Sequence, residues 1–338
     1  MSLPISRIPD PHDAPALRWG ILAPGGIAHS FANAVRTHTR QEIAAVGSRS
    51  KDRSNAFADE FDIQRRYGSY DELVADDGID AIYVASPHSH HGEHAQLAIA
   101  AGKHVLVEKS FTQTADQARD VVAAARGAGV TCMEAMWTRF LPHIDVVRQL
   151  LEDGALGDIE VMEADHGQYF DVDPEFRLFN PALAGGAMLD LGVYPVSFAS
   201  FVLGAPGRVR AVGTRAESGV ERQVSMILDG FDTHTNAHAL LNTTLAAKTP
   251  TTATIAGSLG RIEIPGDFYT PQEIRFIPRV GDEQRSPAPR ITGHEGLAYE
   301  AAHLAQLVAD GHKESPLITW DESITIVETM NRALSQIT

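Results

Sequence analysis

Two clusters of residues in this chain have the types and spacing to do chemistry. The first is the turn Ala23-Pro24-Gly25-Gly26-Ile27-Ala28, a G-x-G-x-x-A pattern with alanine in the first slot, set between a strand-like run and a helical one. In such a turn the second glycine lets the backbone approach a pyrophosphate, which rests on free N–H groups and the positive end of the helix dipole. Gly25, Gly26 and Ile27 are therefore candidate ligands of a dinucleotide, and a tight turn without a ligand is the competing reading. Ala23 is acceptable there if the turn asks for no positive φ. The second cluster is the run from Pro87 to His94, with His88, His90, His91, His94 and Glu93. His90 and His94 are four apart, as two metal ligands on one helix face would be. Glu93 is not where H-E-x-x-H requires it and no third ligand is marked, so no metal is expected.

The end of the second strand-like run adds to the first cluster. Folds of this kind that prefer NAD place an acidic residue about 20 positions after the glycines, against the ribose hydroxyls. Here the run continues as Ser48-Arg49-Ser50-Lys51-Asp52-Arg53. Ser48, Arg49 and Arg53 suit a 2′-phosphate, because an arginine fork matches phosphate geometry, so NADP(H) is expected over NAD(H). The alternative is that Ser50 caps the next helix and the arginines are solvated.

These residues need elements to position them. Apolar runs of strand length alternate with helical patterns through the first ~140 residues, the order expected of parallel strands with crossover helices. Ser69 with Glu72 and Thr114 with Gln117 have capping-box spacing, and Gly102 sits where a helix should end. Beyond residue ~155 the pattern changes to polar and apolar alternation with Gly/Pro turns, the mark of a largely antiparallel sheet with one solvated face. Two helical patterns close the chain, and one of them is expected to pack back on the first domain. The expected architecture is α/β: a flexible arm over 1–16, a Rossmann dinucleotide-binding domain over 17–136, and an α/β domain with an open, mostly antiparallel sheet over 137–338, carrying substrate residues and a dimer face.

Composition narrows the partners. The 338 residues are 43% hydrophobic, enough for two cores, and the net charge of −16 disfavours nucleic acid and anionic membrane surfaces. No run has the ~18 uninterrupted apolar residues of a membrane span, and the N-terminus lacks an apolar leader. The one cysteine, Cys132, permits no internal disulfide and fits a reducing compartment with a packing role. A cytoplasmic protein is expected.

The stretch from Ser86 to Thr112 contains A-G-K-H-V-L-V-E-K-S, residues 101–110. It resembles the A-G-K-H-V-L-x-E-K-P mark of the glucose–fructose oxidoreductase (Gfo/Idh/MocA) family, with Ser110 in place of the proline. Residues 133–142, MEAMWTRFLP, and 185–199, GGAMLDLGVYPVSFA, resemble the branch of dimeric trans-dihydrodiol dehydrogenases and NADP-dependent xylose dehydrogenases. The resemblance implies Lys109, Asp190 and Tyr194 as catalytic residues. It also implies Ser86, Pro87, His88, His91 and Glu108 beside the cofactor, and a homodimer or higher homo-oligomer. Trp137, Arg139 and Phe268 are implied in the substrate pocket, with interdomain core as the other reading of Trp137.

The chemistry of these types agrees. Oxidising a secondary alcohol moves a hydride to the nicotinamide and needs a base for the hydroxyl proton. A phenol titrates near about 10, and a lysine ammonium beside it lowers that value. A carboxylate would raise it, so Asp190 pairs with Lys109 or orients a substrate hydroxyl. Asp190 and Tyr194, four apart, share one face if the segment is helical, and Pro195 should interrupt that helix. A non-catalytic NADP-sensing regulator of the same fold is the alternative. The presence of all three residues argues for the enzyme.

Overall fold

The computed structural model describes residues 3–338, and the chain divides into two compact units. One comprises residues 9–140 and 293–323; the other comprises 3–8, 141–292 and 324–338.

The first unit holds β1 (Arg18–Leu22), α1 (Gly26–His38), β2 (Glu42–Gly47), α2 (Lys51–Phe61), β3 (Arg65–Tyr67), α3 (Tyr70–Val74), β4 (Ala81–Val84), α4 (His91–Ala100), β5 (His104–Glu108), α5 (Ala115–Ala128) and β6 (Cys132–Ala135). Its six strands lie in the order β3-β2-β1-β4-β5-β6, all parallel. This is the doubly wound order whose reversal between β1 and β4 makes a crevice at the carboxyl ends of the strands. Every residue of β4 is buried, which is why a continuous apolar run encodes it. The helix ends follow the predicted chemistry. Ser69 caps α3 through the Glu72 N–H, Thr114 and Gln117 form a reciprocal box at α5, and Gly102 takes φ 75° after α4.

The second unit holds α6 (Pro142–Glu152), β7 (Ile159–Gly167), α7 (Val193–Leu203) and the strands β8 (Arg208–Arg215), β9 (Glu221–Asp229), β10 (His238–Thr244), β11 (Ala253–Gly257), β12 (Gly260–Ile264), β13 (Arg275–Pro278) and β14 (Gln284–Arg285). The strand order is β14-β13-β12-β11-β7-β10-β9-β8, antiparallel except for β7 with β10. The helical stretch Pro181–Leu203 is, among the described residues, long and apolar enough to cross a membrane. Its most apolar window is 89% buried inside the protein, so that apolarity serves the core.

The packing expected of a closing helix is found, and the limits of the two units shift with it. The chain continues through α8 (Leu297–Asp310) and α9 (Trp320–Leu334), and α8 belongs to the first unit, where it packs on α1. Leu297, Ala301, Leu304 and Ala305 give it an apolar stripe to bury. The opening segment is also no free arm. The Arg7 guanidinium holds Asp145 and Glu152, and the Ile5 carbonyl accepts from Gln149.

The buried face of α8 carries Glu300, fully enclosed, with neither carboxyl oxygen hydrogen-bonded among the described residues. Burial first, and the Glu108 carboxylate second, hold it well above the usual carboxylate range. The folded state therefore keeps a proton that the unfolded chain releases near pH 4.3, and stability falls as pH rises above that value. Glu300→Leu is expected to stabilise the protein by about 1–3 kcal/mol at pH 8, the cost of an unsatisfied buried polar group, with less gain at pH 5. Denaturant melts at the two pH values check both the sign and the trend.

Candidate functional site

The nucleotide end of the first unit is built from the β1–α1 turn. Gly25 is the N-cap of α1 and no side chain caps the helix there, so the first-turn N–H groups have no protein acceptor from the cap. A Cβ built on Gly25 or Gly26 meets nothing within 4 Å, and Gly25 has φ −105°, open to any residue. Neither packing nor conformation demands glycine at these positions. The close approach of a ligand does, and a pyrophosphate on the helix N-terminus fits. Ala23 departs from expectation: it takes φ 71°, held by its N–H to Gly47 O and by Gly25 N–H to Ala23 O. The first slot thus keeps the left-handed conformation that favours glycine, at an ordinary cost of about 1–2 kcal/mol for an L-residue.

At the end of β2, Ser48 is buried and its hydroxyl accepts from Ser50 N–H, while Ser50 caps α2 through Arg53 N–H. Arg49 and Arg53 are exposed, and their positive charges lie close enough to Tyr70 to oppose the upward shift that burial gives its phenol. The serine is a cap and the two arginines are solvent-exposed, as the alternative reading of this segment has it. In the loop after β4, Ser86 is buried and its hydroxyl has no hydrogen-bond partner among the described residues. Pro87 and His88 follow it, with His88 edge-on to His91. An orphaned hydroxyl here is a further sign that a polar group docks at the carboxyl ends of the strands.

Two residues named for the cofactor are committed to the protein instead. His91 is 1% exposed, with its ring nitrogens 2.7 Å from Ser110 O and 2.8 Å from Ser86 O, so it ties two loops together and presents no nitrogen to a phosphate. Glu108 points inward, where its carboxylate accepts from the Tyr83 hydroxyl and from the Lys109 N–H. Lys109 itself is half-buried at the end of β5, and the Lys109–Ser110 peptide is cis.

Of the pocket residues proposed from β6 onward, Arg139 is corrected in the same way. Arg139 is 2% exposed, paired with Glu322 and donating to Leu317 O. It is a buried brace within the unit, since a guanidinium is retained in the interior when paired. Trp137 is buried with its ring stacked on His294. Phe268 is buried against Phe198 and Tyr269. Cys132 is enclosed in β6, and burial pushes its thiol up to about 12, which leaves it inert at neutral pH.

The second unit sets Asp190 and Tyr194. Met188–Gly192 forms a π turn that leads directly into α7, with Tyr194 and Pro195 in the first turn of the α-helix. The helix runs on through Pro195, and the irregularity expected from its missing N–H is the π turn immediately before it. Asp190 is buried and met by the Arg177 guanidinium through both oxygens at 3.1 and 3.3 Å. The Tyr194 ring, 7% exposed, lies 4.5 Å from the Tyr269 ring and 5.3 Å from that of His166, and the latter two stack at 4.5 Å. The loop bearing Tyr269 is anchored. Asp165 accepts the Thr251 and Thr252 N–H groups, and Thr251 O takes the Phe268 N–H. Arg177, His166 and Tyr269 escaped sequence reasoning, although Tyr269 adjoins the residue that was named.

Among the described residues no three His, Cys, Asp or Glu side chains are grouped to hold a metal ion. Burial first, and then its neighbours His90, His91 and Arg49, hold the His94 pKa down to about 4.

Comparison with known proteins gives the class. The model described as an oxidoreductase family with an NAD-binding Rossmann fold matches residues 17–136, and the GFO/IDH/MocA C-terminal domain matches 144–263. A trans-1,2-dihydrobenzene-1,2-diol dehydrogenase of Bos taurus is 34% identical over 94% of this chain and 97% of its own. A D-xylose 1-dehydrogenase (NADP(+)) of Hypocrea jecorina is 38% identical over 95% of this chain and 92% of its own. The crystal structure of an aldose–aldose oxidoreductase from Caulobacter crescentus aligns with TM-score 0.82 at 26% identity, over 95% of this chain and 97% of that one. The chain belongs to the Gfo/Idh/MocA oxidoreductase family. It is a dehydrogenase or reductase acting on CH–OH groups with a nicotinamide dinucleotide as cofactor.

Proposed function

We propose that the protein transfers a hydride between NADP(H), in preference to NAD(H), and a secondary hydroxyl or lactol on a small ring: a sugar, a cyclic polyol or a trans-dihydrodiol. The observation that carries this reading is the enclosed Tyr194 phenol, one turn beyond the Arg177-held Asp190, in a chain 34% and 38% identical to dehydrogenases of a ring diol and of xylose. The nicotinamide, when bound, accepts or supplies the hydride. Tyr194 Oη takes the proton from the substrate hydroxyl in oxidation and returns it in reduction. Lys109 supplies the catalytic cation and Asp190 orients a substrate hydroxyl, the roles that the family resemblance implies.

The preference for NADP(H) rests on Arg49 and Arg53, exposed at the end of β2 where an acidic residue would select NAD. A charged hydrogen bond to the 2′-phosphate is worth about 1.5–3 kcal/mol, or roughly 10- to 150-fold. Arg49→Ala should lower kcat/KM for NADP+ by that factor and leave the value for NAD+ within about threefold. Equal kcat/KM for the two cofactors in the unaltered enzyme would contradict the assignment.

The reading extends to a second copy of the chain on the open face of the second sheet. Ile227 and Leu240 pair across β9 and β10, and with Val212 on β8 they are 42%, 39% and 72% exposed. A single buried thiol suits a reducing compartment such as the cytoplasm.

A further inference from the structure

The turn that follows Lys109 is held by three buried side chains from three different elements. Glu108 Oε2 accepts the Lys109 N–H at 3.1 Å, His91 Nδ1 lies 2.7 Å from Ser110 O, and Glu134 Oε1 accepts the Phe111 N–H at 3.0 Å. Glu108 ends β5, the strand that leads into the turn, and His91 opens α4. Glu134 is different, because it reaches across from β6 and is 2% exposed. Its other oxygen accepts the Ser323 hydroxyl at 2.8 Å.

A carboxyl at a buried strand position is expensive, and an apolar side chain of similar volume would be the cheaper choice for packing alone. Burial pushes Glu134 up to about 7, against the pull of its two hydrogen bonds. The partners suit either protonation state. The Phe111 N–H needs only an acceptor, and the Ser323 hydroxyl can donate to a carboxylate or accept from an acid. What an apolar residue could not supply is a fixed acceptor for the Phe111 N–H, two residues beyond Lys109. Fixing that amide fixes the backbone from which the Lys109 side chain springs.

We propose that Glu134 is a positioning residue for Lys109, holding the 109–111 backbone so that the ammonium is presented in one orientation. This inference rests on the role given to Lys109 above. A misplacement of order 1 Å at a reacting group costs about 100-fold in rate. Glu134→Met should therefore lower kcat by roughly 10- to 100-fold with the NADPH Kd within about threefold. Glu134→Gln, whose amide oxygen still accepts from Phe111, should recover kcat to within about threefold. Ser323→Ala should match the unaltered enzyme, since the Phe111 contact survives.

The test is kcat and NADPH Kd for these three variants beside Lys109→Ala, together with NMR of the reductively 13C-methylated protein. The Lys109 resonance, identified by its loss in Lys109→Arg, should move in Glu134→Met and return in Glu134→Gln. Glu134→Asp, which keeps the charge but retracts it by one methylene, should show the same loss and serves if the Met variant does not fold. An inactive Lys109→Ala with kcat and the Lys109 resonance unchanged in Glu134→Met would overturn the positioning role alone. A fully active Lys109→Ala would overturn the reading of Lys109 and this inference with it.

Discussion

Tyr194→Phe is expected to lower kcat by about 10²–10⁴-fold, the usual share of a general acid–base group, while leaving NADPH affinity almost unchanged. The phenol ring packs against the stacked His166 and Tyr269 rings, and the phenylalanine ring fills the same space, so folding should not suffer. Only the hydroxyl that carries the proton is lost. Initial rates and a fluorescence titration with NADPH separate the two effects. Full activity in this variant would remove Tyr194 from the chemistry.

Gly25→Asp should move stability and cofactor binding in opposite directions. Aspartate is among the best N-caps and its charge suits a helix N-terminus, so the variant should fold and melt at or slightly above the temperature of the parent. Its Cβ enters open space and its φ is ordinary for any residue. The same carboxylate would occupy the place of the pyrophosphate with like charge. NADPH affinity should fall by at least about 100-fold, or roughly 2.7 kcal/mol. Retained affinity in the folded variant would mean that the dinucleotide does not rest on α1.

Much of the fold was legible because burial on both faces writes strands as continuous apolar runs, and a half-solvated sheet writes alternation. Runs such as Ala81–Val84 gave the parallel sheet, and the alternation from Ile159 onward gave the mostly antiparallel one. Caps were readable because Ser69 and Thr114 act on residues three positions away. Long-range commitments were not. An arginine after a strand looks alike whether it faces a pocket or a partner, and Arg139 is neutralised by Glu322, 183 residues later. His91 similarly lies with both ring nitrogens against backbone carbonyl oxygens, one of which accepts its N–H, and no spacing rule announces them. In the loop at Phe268, two adjacent aromatics look alike in sequence, and while Phe268 is the one buried, it is the partly exposed Tyr269 that meets Tyr194. Ala23 shows the limit of a motif: the glycine was replaced, yet the left-handed backbone it serves was kept.

The most direct test of the central claim is initial-rate nicotinamide absorbance with the purified protein, NADP+ against NAD+, over a panel of aldoses, cyclic polyols and trans-dihydrodiols. The account predicts turnover with NADP+, faster than with NAD+, on at least one class of ring alcohol or lactol. Tight NADPH binding with no turnover of any member in either direction would contradict it.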